Sequence, residues 1–210
     1  MVFVANGSNE VLQTILLAYA GPGRTVATFE PTYQLHAHIA RISGARVVEG
    51  ERASDFSLDM DEVRRVLHES RPDVTFLCSP NNPTGGVESE AAVREIVSAA
   101  PGLVVVDEAY GQFSDWSALE LVADDSSVVV VRTFSKTWSM AAARLGYAVA
   151  PSWLVCELDK VVLPYHLDAV KQAAGRIALG FEAEMNERVR AIVSERERIG
   201  AALRTLAVDA

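Results

Sequence analysis
Leu103-Val104-Val105-Val106-Asp107-Glu108-Ala109-Tyr110 is the stretch that decides the fold. Four consecutive apolar, mostly β-branched residues give a strand with no polar face, as in a sheet covered on both sides. The acids follow at once, at the strand's end. Working outward, short apolar runs at 2–5, 25–29, 45–49, 73–78, 127–132 and 145–150 predict six more strands. Helical patterns fall between them at 8–19, 32–43, 59–70, 88–99 and 152–160, and one long helix runs through 168–206. Strands alternating with helices argue for an α/β fold: three αβα layers around a mainly parallel sheet. In such sheets ligands bind beyond the carboxyl ends of the strands, so the residues just after each strand carry the functional reading.

The bulk composition is that of an ordinary globular chain: of 210 residues, 50% are hydrophobic and 22% charged. A net charge of −9 argues against nucleic acid as a partner, because a backbone binder needs a basic face. No apolar run reaches the length of a membrane span, and Met1-Val2-Phe3-Val4-Ala5 is too short and uncharged for a signal peptide. Cys78 and Cys156 stand far apart without a CxxC, which fits a reducing cytoplasm and neither a disulfide framework nor a zinc site. The last helix interleaves Glu and Arg (Glu195-Arg196-Glu197-Arg198), a solvated face by the usual reading. Its length suggests a connector into a second domain. The chain opens abruptly in a strand, so both ends read as cut from something larger.

Four segments after the strands hold chemistry. Asn6-Gly7-Ser8-Asn9-Glu10 opens a helix: Gly7 allows the turn, Ser8 is a good N-cap, and free N–H groups with the helix dipole make a phosphate cradle. By itself the stretch reads first as an ordinary capped helix start. Ser79-Pro80-Asn81-Asn82-Pro83-Thr84-Gly85-Gly86 is a rigid turn able to aim an Asn amide into a cleft. Asp107 needs a cation or a metal if buried. A P-loop ATPase also has an acid after an apolar strand, but it requires a Gly-Lys pair, and this chain has none. Thr133-Phe134-Ser135-Lys136 offers two hydroxyls and a lysine placed to be a Schiff-base nucleophile, and Arg144 offers a planar fork suited to phosphate. Taken singly, an interior lysine is more often structural or exposed.

Together these segments resemble fold-type I enzymes that use pyridoxal 5′-phosphate (PLP), and most closely the histidinol-phosphate aminotransferases. The resemblance covers nearly the whole chain. It rests on Asn6-Gly7-Ser8-Asn9-Glu10, Pro31-Thr32-Tyr33, Pro80-Asn81-Asn82-Pro83-Thr84-Gly85, Val106-Asp107-Glu108-Ala109-Tyr110, Thr133-Phe134-Ser135-Lys136 and Arg144-Leu145-Gly146-Tyr147, in the family's order and spacing, with Pro164-Tyr165-His166-Leu167 also resembling that branch. It implies a PLP-binding large domain over 1–165, with 166–210 an interdomain helix and the start of a small C-terminal domain. It also implies the roles. Lys136 holds the cofactor as a Schiff base and then shuttles a proton. Asp107 pairs with the pyridinium nitrogen. Tyr110 and Asn82 hydrogen-bond the ring's phenolic oxygen, and Tyr33 stacks on the ring. Ser8, Asn9, Thr133, Ser135 and Arg144 hold the phosphate.

The implied reaction is amino transfer from histidinol phosphate, or an aromatic amino acid, to 2-oxoglutarate in a cytoplasmic homodimer. A decarboxylase or lyase of the same fold, acting for example on threonine phosphate, shares the cofactor residues and differs only in substrate contacts. The third reading is a truncated module without catalysis. The family's substrate-carboxylate arginine and its N-terminal closing segment have no match in this chain, so the fragment is expected to be weak or inactive alone. Thr137 and Trp138 follow the lysine where the family often has smaller residues. His36 and His38, two apart, point to different helix faces and do not make a metal pair. His68 is expected on a surface helix, His166 has no derivable role, and Trp116, Trp138 and Trp153 are expected to be packing residues.

Overall fold
The computed structural model describes residues 1–206. Seven strands form one sheet in the order β1-β7-β6-β5-β4-β2-β3. They are β1 Val2–Ala5, β2 Thr25–Glu30, β3 Arg46–Glu51, β4 Val74–Cys78, β5 Leu103–Asp107, β6 Val128–Thr133 and β7 Gly146–Val149. Every expected strand is present. β2 to β6 run parallel, and β7 is antiparallel to both β6 and β1.

The central strands β4 and β5 are buried at every residue, which is why they read as unbroken apolar runs. Alternation sends Val105, Val129 and Val131 to one face and Val104, Val106, Val128 and Val130 to the other. The first face is covered by helices α1 (Ser8–Tyr19), α2 (Leu35–Ile42) and α5 (Ser152–Val161). The second is covered by α3 (Met60–Ser70) and α4 (Glu90–Ala99). Asp59 caps α3 by accepting from the Asp61 and Glu62 amides, and Ser89 caps α4 through the Ala92 amide.

Three boundaries depart from the sequence reading. α2 begins at Leu35, not at residue 32, because Thr32 is held outside the helix by its amide's bond to the Glu30 carboxylate and its hydroxyl's bond to Asn81. The expected single long helix is two, α6 (Ala169–Ala178) and α7 (Glu182–Thr205), joined by a tight turn at Leu179–Phe181. Gly180 sits at that break, where helix propensity is weakest. Finally, the residue capping α1 is Gly7, with φ 88° and ψ 163°, and Ser8 is already helical.

Candidate active site
The carboxyl ends of β2, β4, β5 and β6 meet at one edge of the sheet. Arg144 precedes its strand, but β7 runs antiparallel, so its start lies at the same edge. A single open cleft with about 570 Å³ of empty space lies there. All ten residues singled out in the sequence line it: Ser8, Asn9, Tyr33, Asn82, Asp107, Tyr110, Thr133, Ser135, Lys136 and Arg144, with Cys78 and Ala109 beside them.

Asp107 ends β5 and is 2% exposed. One carboxylate oxygen accepts the Ala109 amide at 3.0 Å, and the other lies 2.9 Å from His36 Nε2. His36 is fully buried, stacked on Phe76 (4.5 Å between centroids) and edge-on to Tyr33 (5.3 Å). Its Nδ1 meets no partner, so the proton belongs on Nε2, donated to Asp107. The field of this carboxylate is felt by its neighbours. Burial first, and then Asp107, push the Tyr33 phenol up, and the same two causes push the Cys78 thiol up to about 12. A carboxylate this deep, with an amide and the His36 ring as its partners among the described residues, suits a cationic group in the cleft.

Elsewhere in the cleft, the backbone folds tightly around a guanidinium. Thr133 Oγ1 accepts the Ser135 amide at 3.1 Å, and the Phe134 amide bonds the Leu145 carbonyl. Arg144 adopts a left-handed backbone (φ 49°), and its Nη1 reaches Ser135 Oγ at 3.4 Å and the Ala141 carbonyl at 3.2 Å. A Cβ on Gly7 would stand 2.5 Å from Arg144 Nη2, and one on Gly146 would stand 2.2 Å from the Ser8 amide nitrogen. The start of α1, the start of β7 and the guanidinium are thus packed at glycine-only distances. A helix N-terminus and an arginine in contact form a cradle for an anion.

Lys136 lines the same cleft. It is exposed, its Nζ lies 5.1 Å from the Tyr110 ring centroid, and it has no carboxylate partner among the described residues. The two adjacent asparagines divide their work. Asn81 is buried and holds the turn through Thr32, Thr84 and the Pro31 carbonyl, which leaves Asn82 to line the cleft.

Two site residues escaped the sequence reading. In the sequence His36 figures only beside His38, with which it makes no metal pair and which is exposed; its position three residues beyond Tyr33 is the available signal. Cys78, last residue of a buried strand, gave none. His68 is exposed on α3 as expected, and His166 bonds the Val4 carbonyl at 2.9 Å.

Comparisons with known proteins agree with this architecture. The chain is 44% identical over 204 residues to a histidinol-phosphate aminotransferase of Mycobacterium avium, covering 96% of this chain and 51% of that protein. It is 46% identical over 204 residues to one of Rhodococcus jostii, covering 96% and 54%. The chain therefore spans about half the length of the curated relatives it matches. A solved histidinol-phosphate aminotransferase of Sinorhizobium meliloti, in complex with pyridoxal-5′-phosphate, superposes with a TM-score of 0.88 at 25% identity, over 95% of this chain and 56% of that one. A solved structure from Erwinia carotovora atroseptica shares the fold, with a TM-score of 0.89 at 24% identity, over 98% of this chain and 62% of that one. Residues 1–209 match the family model for aminotransferase class I and II, and the chain belongs to that family.

Proposed function
We propose that this chain is the cofactor-binding part of a PLP-dependent aminotransferase that transfers the amino group of histidinol phosphate, or of an aromatic amino acid, to 2-oxoglutarate. The observation that carries the reading is one cleft lined by a buried carboxylate, Asp107, by Arg144 packed against Gly7, and by a lysine with no carboxylate partner among the described residues. That pattern fits a molecule with a basic ring nitrogen, an aldehyde and a phosphate. When bound, pyridoxal 5′-phosphate supplies an electron sink for chemistry at the amino acid's α-carbon.

The chain's own groups do the rest. Lys136 supplies the primary amine for covalent attachment and then moves the proton at the substrate's α-carbon. Asp107, backed by His36, holds a proton on the ring nitrogen. Tyr110 and Asn82 donate to the ring's phenolic oxygen, and Tyr33 covers a face of the ring. Ser8 and Asn9 at the helix start, with Thr133, Ser135 and Arg144, hold the phosphate.

The choice of amino transfer over decarboxylation, and of histidinol phosphate as donor, is supported by the names of relatives at 44–46% identity. A cytoplasmic location is supported by two free cysteines, and no described helix is long and apolar enough to cross a membrane. A homodimer is supported by the apolar surface on which Val2, Val4 and Leu179 stand exposed. Residues 166–210 are taken to lead into a small second domain. A half-reaction screen tests the function. Full-length protein loaded with PLP is mixed with single amino donors, and the cofactor's absorbance is followed. Histidinol phosphate should convert the cofactor fastest; conversion by none of the donors, or release of carbon dioxide, would refute amino transfer.

A further inference from the structure
The cleft uses one face of β5 and β6, and a second buried polar cluster occupies the other. Alternation along the strand turns Asp107 to the cleft and Glu108 away from it. Glu108 is 3% exposed. Its Oε1 accepts the Ala118 amide at 2.7 Å, and its Oε2 accepts Arg132 Nη2 at 2.7 Å and Nε at 3.1 Å. The Ser117 hydroxyl donates to the same carboxylate, 2.8 Å from Oε2 and 3.0 Å from Oε1, and itself accepts from Arg132 Nη2 at 2.9 Å.

One carboxylate therefore closes a loop at both ends. The chain leaves β5 at Glu108 and returns to that side chain at Ser117 and Ala118. Tyr110 lies inside the closed segment. Gly111 packs directly on the clamp, for a Cβ there would stand 2.9 Å from Glu108 Cβ and 3.0 Å from its Oε2. Arg132 lies one residue before Thr133 at the end of β6, the strand that leads into Ser135 and Lys136. The clamp thus joins the loop that delivers Tyr110 to the strand that delivers Lys136, and these two meet in the cleft with Nζ 5.1 Å from the ring centroid.

The geometry points to Glu108 as a positioning residue: the Glu108–Arg132–Ser117 clamp fixes the Tyr110 phenol in the cleft and, through it, sets the proton affinity of the cofactor held at Lys136. This rests on the reading of the cleft as a PLP site. A clamp that only stabilised the fold would change the unfolding midpoint and nothing in the cofactor.

The test is a pH titration of the long-wavelength absorption band of the PLP-loaded full-length protein, with thermal unfolding alongside. The variants are Tyr110→Phe, Glu108→Gln, Gly111→Ala and the double variant Tyr110→Phe/Glu108→Gln. Glu108→Gln keeps the volume and removes the charge. Gly111→Ala pushes on the same contact with the charge intact, and serves if Glu108→Gln fails to fold. Tyr110→Phe should raise the apparent pKa of the band, and Glu108→Gln and Gly111→Ala should raise it by roughly half a unit to one unit, the size expected when one hydrogen bond to the ionised form is weakened. In the Tyr110→Phe background Glu108→Gln should add no further shift, because pairs acting through one group are non-additive. A shift in Tyr110→Phe with none in Glu108→Gln or Gly111→Ala would overturn the positioning role alone. So would an undiminished Glu108→Gln shift in the Phe background. A band whose pKa ignored Tyr110→Phe would overturn the reading of the cleft, and this inference with it.

Discussion
Gly7→Ala should weaken both fold and cofactor binding, by separable mechanisms. Gly7 has φ 88° and ψ 163°, a region that only glycine occupies freely, and an L-residue held there costs of order 1–3 kcal/mol. The new methyl would also stand 2.5 Å from Arg144 Nη2 and 3.0 Å from Cζ. The guanidinium is the free end of a flexible side chain, so it moves in preference to the backbone. Its present place is held by Ser135 Oγ and the Ala141 carbonyl, and displacement would remove the charge-assisted contact we propose it makes to the phosphate. Such a contact contributes about 1.5–3 kcal/mol, so the affinity for PLP should fall roughly 10- to 100-fold. Equilibrium titration with PLP reads the second effect and denaturant unfolding of the apoprotein the first. Arg144→Ala supplies the control: in that background Gly7→Ala should still destabilise the fold by about 1–3 kcal/mol but should no longer change PLP affinity. Wild-type affinity and stability in Gly7→Ala would refute both the strain and the contact between Gly7 and the anion site.

Asp107→Asn should keep the fold and lose turnover roughly 10²-fold or more, since a neutral amide no longer holds the proton on the ring nitrogen; steady-state kinetics with near-normal turnover would remove Asp107 from the mechanism. Glu88→Ala should destabilise by roughly 3–5 kcal/mol in denaturant unfolding, because Arg52, whose side chain is 2% exposed, would lose its 2.7 Å partner; a change near zero would show that water reaches Arg52. Cys78, whose thiol burial pushes up to about 12, should resist iodoacetamide at pH 8 to 9 while exposed Cys156 reacts. The raised folded value also means that the thiol's contribution to stability is full below its unfolded value near 9 and fades as pH climbs towards about 12. Equal labelling of both cysteines in the folded protein would contradict the buried placement.

The sheet was legible because its strands are dense in β-branched residues, Val128 to Val131 being the clearest, and because each is bounded by polar or turn residues. Strand direction was not. Nothing in the composition of β6 or β7 marks a direction, and only tertiary packing makes β7 antiparallel, which is what brings Arg144 to the same edge as residues that follow their strands. The cleft residues were legible because each motif sits just beyond a strand end. What stayed hidden depends on contacts between distant segments. Ser8 and Gly7 both look like helix caps until Arg144 is seen to fill the space beside Gly7. Asn81 and Asn82 are chemically identical until Thr32 takes the first of them. His36 gains its meaning only when α2 lies against the end of β5. The break at Leu179–Phe181 is a one-glycine signal inside a strong helical pattern, and the pattern outweighed it.

Reduction of the PLP-loaded full-length protein with borohydride, followed by peptide mass mapping, tests the central claim most directly. The account predicts a pyridoxyl adduct on the peptide containing Lys136, and none after Lys136→Ala. An adduct found instead on Lys160 or Lys171, with Lys136 unmodified, would contradict it.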